Sequence, residues 1–393
     1  MNKKWEIKKL GEVCDVEYGT RVVQKRDGGS IYPVYGGGGA TFFMDTFNRE
    51  NNLVVARFAM SAQCTRYVKG KFFLNDSGLT IKPKNKEELS HDFLNLQMVF
   101  LNDIIYSLGR GTAQKNLDVD AFRNLEVIYP KSLPEQQRIV SILDECFSAI
   151  ERSRKNAEQS RKNAKELFES YLQGVFGSAG SPTEEQRVGW NEKKLGEMAT
   201  FRNGINYTKS SKGEKIKIVG VKDFQENFWI PFDELDSVVL DGKLSETDEL
   251  KENDIIAVRS NGNPALIGRT LLAGDVAEKI SHSGFTIRIR LISNEVLPIY
   301  LCRYLKTKKT RKVLVEKGNG VGIKSLNQGS LSSLSIPFPK SKVEQQHIVR
   351  QLDTFRTETQ KLEAIYQKKI ANLDELNQSI LAKAFRGELT EKK

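Results

Sequence analysis

The sequence is poor in the side chains that build disulfide frameworks and metal sites. It contains four cysteines and only three histidines: Cys14, Cys64, Cys146, Cys302, His91, His282 and His347. No Cys-x-x-Cys pair occurs and the histidines are scattered, so the spacing fits neither a zinc site nor a disulfide framework. We therefore expect reduced cysteines and no bound metal.

Long hydrophobic runs are absent as well. No apolar stretch approaches the roughly 20 residues needed to span a bilayer. The opening residues Met1-Asn2-Lys3-Lys4 do not lead into the hydrophobic core of a signal peptide. The sequence thus predicts a cytoplasmic protein without a membrane partner.

The usual motifs of nucleotide-dependent and DNA-cleaving enzymes are missing too. Gly70-Lys71 and Gly242-Lys243 are not followed by serine or threonine, which excludes a phosphate-binding P-loop. No Pro-Asp dipeptide begins the carboxylate set of a restriction-type nuclease. Asn263-Pro264-Ala265-Leu266 lacks the second proline and the aromatic residue of the adenine methyltransferase motif, and we interpret it as a turn. We expect no catalytic residues.

Positive charge, by contrast, is in excess. The 61 Lys and Arg residues outnumber the 50 Asp and Glu residues, which gives a net charge of +11. Such a surplus favours a polyanionic partner, although a merely basic soluble protein has the same composition. The 393 residues, of which 39% are hydrophobic, suffice for two or three domains with their own cores.

Several motifs occur twice. Residues 130–144 read PKSLPEQQRIVSILD and residues 339–353 read PKSKVEQQHIVRQLD, an offset of 209 residues. The start motif WEIKKLGE at residues 5–12 returns as WNEKKLGE at residues 190–197, an offset of 185 residues. We call the start motif and the Glu-Gln-Gln helix start the frame motifs. The chain therefore consists of a start motif, a variable globule and a long helix, and then the same order again.

Apolar and small residues recur at alternating steps of four and three in both predicted helices, which is the spacing of a coiled-coil seam. The predicted seam residues are Ile139, Leu143, Ile150, Ala157, Ala164 and Leu167 in the first helix, and Ile348, Leu352, Phe355, Leu362, Tyr366, Leu373 and Leu376 in the second. The small residues leave room for the larger ones, so we predict that the two helices pair in an antiparallel coiled coil. The alternative is that each helix packs on its own globule.

The segments between the frame motifs combine short strand-like runs with short helical stretches. We therefore predict an α+β protein in which two mixed α/β globules are joined by two long helices, with a pseudo-twofold internal repeat. The predicted boundaries are 1–133 for the first globule, 134–177 for the first helix, 178–189 for a linker, 190–342 for the second globule and 343–393 for the second helix.

Two glycine-containing loops match across the repeat. Residues 109–117 and 318–326 place Lys115 and Lys324 at equivalent positions, which suits a contact to phosphate. The run Gly36–Gly39 can bring backbone close to a ligand, or form a flexible turn. The side chains around these loops suit phosphates and base edges. The candidate contacts are Arg21, Lys25, Tyr35, Gly37, Arg57, Arg66, Arg110, Gln114, Lys115, Arg202, Asn206, Lys209, Arg259, Asn261, Asn263, Arg269, Lys324 and Ser325.

With these motifs the chain resembles the specificity subunit of a type I restriction-modification enzyme over essentially its whole length. The resemblance lies in the paired start motifs, the matching glycine loops, the Glu-Gln-Gln helix starts and the final Phe385-Arg386-Gly387-Glu388-Leu389. It implies two target-recognition domains, each reading one half of a bipartite site in double-stranded DNA. Because the globules differ between the frame motifs, it implies an asymmetric target.

The resemblance also implies that the chain is not an enzyme and binds no cofactor. Two modification subunits would methylate adenine with S-adenosylmethionine, and restriction subunits would use ATP and Mg²⁺ for translocation and cleavage. Three alternatives remain: the recognition subunit of a related restriction or phage-defence system, a coiled-coil scaffold that does not bind DNA, and a nuclease with an unrecognised site.

Overall fold

The chain forms two compact units, each of which is described here by itself. The computed structural model describes residues 5–112, 114–176, 190–208, 210–225, 227–316 and 325–389. The first unit comprises Met1–Gln159 with Tyr366–Lys393, and the second comprises Ser160–Ile365. Each unit contains one globule and a part of each long helix.

The described residues of the first half of the chain form ten strands and six helices. The strands are β1 (Trp5–Lys9), β2 (Cys14–Tyr18), β3 (Tyr32–Tyr35), β4 (Ala40–Met44), β5 (Arg49–Ala56), β6 (Thr65–Leu74), β7 (Gly78–Pro83), β8 (Gly109–Arg110), β9 (Asn116–Leu117) and β10 (Glu126–Pro130). The helices are α1 (Leu10–Val13), α2 (Gln24–Asp27), α3 (His91–Phe100), α4 (Asn102–Ser107), α5 (Val119–Arg123) and α6 (Leu133–Phe176).

The second half repeats this general order. Its strands are β11 (Trp190–Lys194), β12 (Ala199–Asn203), β13 (Lys215–Val219), β14 (Asp236–Val239), β15 (Ile255–Val258), β16 (Thr270–Leu272), β17 (Ile280–His282), β18 (Thr286–Leu291) and β19 (Ser335–Pro339). Its helices are α7 (Leu195–Met198), α8 (Pro298–Leu305), α9 (Lys308–Glu316), α10 (Gln328–Ser332) and α11 (Lys342–Phe385). Short 3-10 turns lie at Val221–Phe224, Phe232–Glu234 and Pro264–Leu266.

The globules are mixed α/β, as the sequence predicts. The first contains a six-stranded sheet in the order β2-β7-β5-β6-β3-β4, antiparallel except for the pair β3 and β6. The second contains a four-stranded sheet, β12-β18-β15-β16, and a three-stranded sheet, β14-β13-β17, in which β13 and β17 run parallel. Runs of branched residues such as 53–56 and 255–258 form the buried strands at the centre of each globule.

In each half the start motif forms a two-stranded antiparallel ribbon with the strand that leads into the long helix. β1 pairs with β10 so that Trp5 lies opposite Pro130, and β11 pairs with β19 so that Trp190 lies opposite Pro339. The start motif therefore closes each globule directly beside the first turn of its long helix. This pairing explains why the two motifs are repeated while the residues between them diverge.

The second glutamine of each Glu-Gln-Gln motif connects the long helix to the globule. Gln136 is fully buried, accepts a hydrogen bond from the Ser90 N–H at 2.7 Å, and donates to the carbonyls of Glu88 (2.8 Å) and Pro130 (2.7 Å). The Glu88 carboxylate in turn binds Lys8 of the start motif at 2.5 Å. The hydrogen bonds from Lys8 and then Tyr129 hold the pKa of Glu88 below its ordinary value.

The second globule contains the same network. Gln345 is fully buried, accepts from the Leu297 N–H at 2.9 Å, and donates to the carbonyls of Glu295 and Pro339, both at 2.8 Å. Lys193 of the second start motif binds the Glu295 carboxylate at 2.8 Å. A buried amide with three backbone partners leaves little freedom at the start of the helix, which accounts for the recurrence of glutamine at this position.

We predict that Gln136→Ala lowers the free energy of unfolding of the first unit by about 3 kcal/mol, because it leaves three partly buried backbone groups without partners. The neighbouring Gln137 is exposed, so Gln137→Ala is the matched control and should stay within about 0.5 kcal/mol. Urea unfolding of both variants measures the difference. Equal losses in the two variants would show that Gln136 does not hold the helix.

The long helices begin one residue earlier than the sequence predicts. The second ends at Phe385 and not near residue 393. Gly387 has a φ of +79°, a left-handed conformation that commonly terminates helices. Gly387 also packs against Trp5, so closely that a Cβ at this position would lie 3.3 Å from the indole ring. Residues 390–393 lie outside the described part of the chain.

Three of the thirteen predicted seam residues lie outside the buried stripe. The positions Ile139, Leu143, Ile150, Ala157, Ala164 and Leu352 are buried, and Ile348, Phe355, Tyr366 and Leu373 are partly buried. Leu167, Leu362 and Leu376, however, are 50%, 40% and 45% exposed, whereas Phe168 and Ile370 are buried. Residues three apart and residues four apart both lie on the same face of a helix. A leucine three residues after a seam position therefore does not by itself show which residues of that face are buried.

Both long helices contribute to the core of each unit. In the first unit, Ile139 and Leu143 of α6 share a core with Leu381, Ala384 and Phe385 of α11. Farther along the same helices, Arg154 Nη1 lies 2.5 Å from Asp374 Oδ1. The start of α6 and the end of α11 are therefore packed together within the first unit.

In the second unit the opposite ends of the helices are packed together. Phe168, Leu172 and Phe176 of α6 share a core with Val349 and Leu352 of α11. The rings of Tyr171 and Phe355 are 4.4 Å apart. Within each unit, residue numbers rise along one helix as they fall along the other.

Two negative findings concern the described residues alone. No helix among them is long and apolar enough to cross a membrane. Within the same ranges, no group of three or more His, Cys, Asp or Glu residues is arranged to hold a metal ion.

Candidate nucleic-acid interface

In the first globule an arginine directly follows the buried end of a central strand. Arg57 leaves β5, and its N–H donates to the carbonyl of Ser77 at 2.8 Å. Its Nη1 donates to the Asp76 carbonyl at 3.4 Å, and its own carbonyl accepts from the Leu117 N–H at 2.8 Å. These contacts fix the guanidinium at the edge of the sheet.

The second globule holds an arginine in the same way. Arg259 leaves β15, and its N–H donates to the carbonyl of Phe285 at 2.8 Å. Its Nη1 donates to the Gly284 carbonyl at 3.2 Å, and its carbonyl accepts from the Leu326 N–H at 2.8 Å. The two arginines therefore occupy equivalent positions in globules that otherwise differ.

Sequence comparison did not find this equivalence, although it selected both arginines. Arg57 and Arg259 are 202 residues apart, which is neither of the offsets of the frame motifs. The second globule has extra residues both between its start motif and Arg259 and between Arg259 and its long helix. The offset between equivalent residues therefore changes along the chain. The sequence feature that could have revealed the equivalence is that each arginine directly follows an apolar strand-like run.

Aromatic rings surround the guanidinium in the first globule. Its central carbon lies 4.8 Å from the ring centroid of Tyr18 and 4.5 Å from that of Phe58. Both aromatic side chains are themselves partly exposed. An arginine held beside exposed rings is suited to stack on a base or to bind a phosphate.

The predicted lysine of the first glycine loop lies on the segment next to this arginine. The Met60 N–H donates to the Lys115 carbonyl at 2.9 Å, and the Ala59 N–H donates to Asn116 Oδ1 at 3.2 Å. The Lys115 ammonium lies 4.1 Å from the ring centroid of Tyr106. The fold thus brings together the loops of Arg57 and Lys115, which are far apart in sequence.

Two candidates of the first globule have other roles. The Gly37 N–H donates to Ser77 Oγ at 3.2 Å and is not presented to a ligand. A Cβ at this position would lie 2.7 Å from the Phe58 carbonyl oxygen, so glycine is required by close packing. Tyr35 packs edge to face on Phe72, with ring centroids 5.6 Å apart, and belongs to a small core.

The other candidates of this globule lie at the surface. Arg21, Gln114 and Lys25, the last on α2, are exposed, and Arg66 is partly exposed near Gly39. Arg110 is paired with Asp118, yet 82% of its side chain remains exposed. The structure leaves these side chains accessible to a partner without placing them all beside Arg57.

In the second globule, three candidates are used by the fold itself. Arg202 pairs with the Asp248 carboxylate, which raises the pKa of the guanidinium. Asn261 Oδ1 accepts from the Asn263 N–H at 2.8 Å, and Asn263 Oδ1 accepts from the Ala265 N–H at 3.0 Å. The two asparagine side chains thus shape the turn at Pro264–Leu266.

The remaining candidates of the second globule are dispersed. Asn206 is exposed, and Ser325 forms a bridge with Ser260, next to Arg259. Arg269 Nη1 donates to the Gln225 carbonyl at 2.9 Å and faces a cavity. Lys209 and Lys324 lie outside the described residues, so their proposed contacts stay predictions.

Several groups that could act as nucleophiles or bases are buried in cores. Burial raises the pKa of the thiols of Cys14 and Cys64 to about 12 and about 11, which keeps both protonated near neutral pH. Burial lowers the pKa of His282 to about 3, and its Nδ1 lies 2.9 Å from Thr286 Oγ1. These residues are structural in the folded chain.

Comparison with known proteins identifies the family. The model of the type I restriction modification DNA specificity domain matches residues 2–159 and 187–372. The StySPI specificity subunit of a type I restriction enzyme from Salmonella potsdam is 29% identical over 303 residues, which are 74% of this chain and 63% of that protein. The chain thus spans less than two thirds of this curated relative.

Two solved structures have the same fold. One, from a study of complex assembly and conformational transition of the type I restriction-modification system, has a TM-score of 0.73, 18% identity and 99% coverage of both chains. The HsdS subunit of Thermoanaerobacter tengcongensis has a TM-score of 0.56, 19% identity and coverage of 99% and 98%. Since the family model matches each half of the chain separately, the chain belongs to the family of type I restriction-modification DNA specificity domains.

Proposed function

We propose that this chain is the DNA-recognition subunit of a type I restriction-modification complex. It reads a bipartite, asymmetric site in double-stranded DNA, one half with each globule. The observation that carries this proposal is the matching pair Arg57 and Arg259, held by the same three hydrogen bonds in otherwise different globules. An arginine held in the same way in both globules is suited to contact the phosphate backbone, which is the same in every DNA sequence. The residues around it differ between the globules and are suited to contact different bases.

The pair provides the first test of this function. We expect Arg57→Gln and Arg259→Gln to weaken binding to duplex DNA by a similar factor, about tenfold each, since each removes one charge-assisted contact. Binding is measured by fluorescence anisotropy at fixed salt, with Arg152→Gln, an exposed change on α6, as the control. Unchanged DNA binding in both arginine variants would contradict the proposal. Thermal melting of each variant separates loss of contact from loss of fold.

Lys115 gives a second, independent prediction. Lys115→Ala should weaken binding about equally across DNA sequences. It should also reduce the slope of log K against log salt by roughly the amount expected for the loss of one phosphate contact. Lys86→Ala removes an equal charge from an exposed position on a different loop of the first globule and should leave the slope unchanged. A changed base preference with an unaltered slope would instead make Lys115 a base reader.

The helices support a second element of the proposal. In each unit, α6 and α11 pack in opposite directions, which supports an antiparallel coiled coil and a pseudo-twofold internal repeat. The repeated frame would offer two equivalent docking places to two modification subunits, and restriction subunits would join that complex.

We infer further that the chain is not catalytic and binds no cofactor of its own. S-adenosylmethionine, ATP and Mg²⁺ belong to the partner subunits in this proposal. The buried, protonated thiols and the buried neutral imidazole support it. Purified chain incubated with DNA, Mg²⁺ and S-adenosylmethionine should neither cleave nor methylate the DNA, and turnover by the chain alone would contradict this inference.

A further inference from the structure

The second unit contains a cavity of about 510 Å³ whose walls carry a large excess of positive charge. Among the described residues, eight Lys and Arg side chains line it, together with two carboxylates, Glu166 and Glu169. The cavity lies among α8, α9, the parts of α6 and α11 that belong to this unit, and the residues Phe224, Gln225, Asn227 and Phe228. It does not include the loops of Arg259 and Ser325.

Five cations of the globule line the cavity. Lys308 Nζ lies 3.9 Å from Glu169 Oε2, and of the other four, three are bound mainly to uncharged oxygens. Lys306 Nζ donates to the carbonyls of Thr270 (2.5 Å) and Asn227 (3.1 Å). Arg311 Nη2 donates to the Ala265 carbonyl at 2.6 Å, and Arg269 Nη1 donates to the Gln225 carbonyl at 2.9 Å. Backbone carbonyls orient these cations but do not neutralise them.

The fourth cation is paired, and yet it retains an unsatisfied donor. Arg303 binds the Asp353 carboxylate and stacks on Phe228, 3.9 Å from the ring centroid. Its Nε, like the Nε of Arg311, is buried and finds no hydrogen-bond acceptor within the described parts of the chain. A buried donor without an acceptor is a common sign of a bound water or ion.

The electrostatics of the cluster are unfavourable without an anion. Burial lowers the pKa of the Lys306 ammonium, and repulsion from Arg303, Arg269 and Arg311 lowers it further. Burial and the neighbouring Arg269 likewise lower the pKa of Arg311. Cations that serve only to brace the packing of α8 and α9 would not need to be gathered at such a cost.

We propose that this cavity binds a small phosphate-type oxyanion, held by Arg269, Arg303, Lys306 and Arg311. A phosphate group offers several acceptor oxygens and at least one negative charge, which matches the N–H donors and the surplus positive charge of these side chains. A pyrophosphate group would use more of the available volume than a single phosphate. The phosphate belongs either to a free phosphate compound or to the backbone of DNA.

Isothermal titration of the full-length chain with pyrophosphate, at constant ionic strength, tests the site. We expect saturable binding that Arg311→Gln weakens by about tenfold to a hundredfold, the effect of one charge-assisted hydrogen bond. Arg152→Gln makes the same change on an exposed part of α6 outside the cavity and should not alter the affinity.

A second variant keeps the test valid if Arg311→Gln does not fold. Glu169→Gln removes a negative charge from the cavity wall and should tighten pyrophosphate binding, because it relieves repulsion of the anion. Absence of binding to the unaltered chain, or equal responses of Arg152→Gln and the cavity variants, would overturn the proposal. Competition by short duplex DNA would identify the phosphate as part of the backbone, and lack of competition would identify a free phosphate compound.

Discussion

Exchange of residues 13–128 for the equivalent segment of a relative is expected to change one half of the methylated motif and to leave the other half intact. The exchanged segment lies between the frame motifs and contributes to a core that shares no residue with that of the second globule. The base preference of the second globule should therefore be independent of it. Methylome sequencing of a host that expresses the chimera with the proposed modification subunit reads both halves at once.

The design of this exchange depends on one contact in the first unit. The Phe385 ring, at the end of α11, lies 5.3 Å from the rings of both Phe93 and Phe100, which are inside the exchanged segment. The donor should therefore carry aromatic residues at these two positions. The reciprocal exchange of residues 199–334 is the control and should change the other half alone. A change in both halves from either exchange would contradict independent reading.

The second large effect concerns the gap between the two half-sites. Four residues inserted into the middle of both long helices would lengthen them by ~6 Å, at ~1.5 Å per residue. Base pairs rise by ~3.4 Å, so a gap set by the helices should grow by one or two base pairs. The insertion also rotates each helix by roughly 40° beyond a full turn, close to the rotation of DNA by one base pair at ~10.5 base pairs per turn.

We expect the gap to grow by one base pair, because a groove-bound globule tolerates a small axial mismatch better than rotation to the wrong side of the duplex. Both half-sites should remain unchanged in the methylome of the variant. The same four residues inserted within the predicted linker, 178–189, form the control and should not change the gap. Retained methylation with an unchanged gap in the helix variant would show that the helices do not set the spacing.

The sequence predicts the frame of this protein better than its interface. The mixed α/β globules and the two long helices follow from strand-like runs and from the recurrence of Glu-Gln-Gln, and both helices begin within one residue of the expected positions. The seam is less accurate, since Leu362 and Leu376 appear suitable by spacing but lie outside the buried stripe. A heptad pattern identifies the helix and leaves open which of two adjacent positions is buried.

The candidate contacts are harder to predict because partners distant in sequence decide what a polar side chain does. Arg202 is occupied by Asp248, and the Gly37 N–H is occupied by Ser77, pairings that no local pattern reveals. Conversely, the equivalence of Arg57 and Arg259 depends on hydrogen bonds formed only in the folded globules. Sequence therefore selects plausible residue types, and the fold determines which of them remain available.

The most direct test of the central claim is methylome sequencing of a host that expresses the unaltered chain together with the proposed modification subunit. Recognition by two different globules predicts methylated adenines in one motif of two dissimilar halves, separated by a gap of fixed length and unspecified sequence. Single substitutions Arg57→Gln and Arg259→Gln should reduce the extent of methylation without changing that motif. A continuous motif, a palindromic motif, or methylation unaffected by removal of the chain would contradict the account.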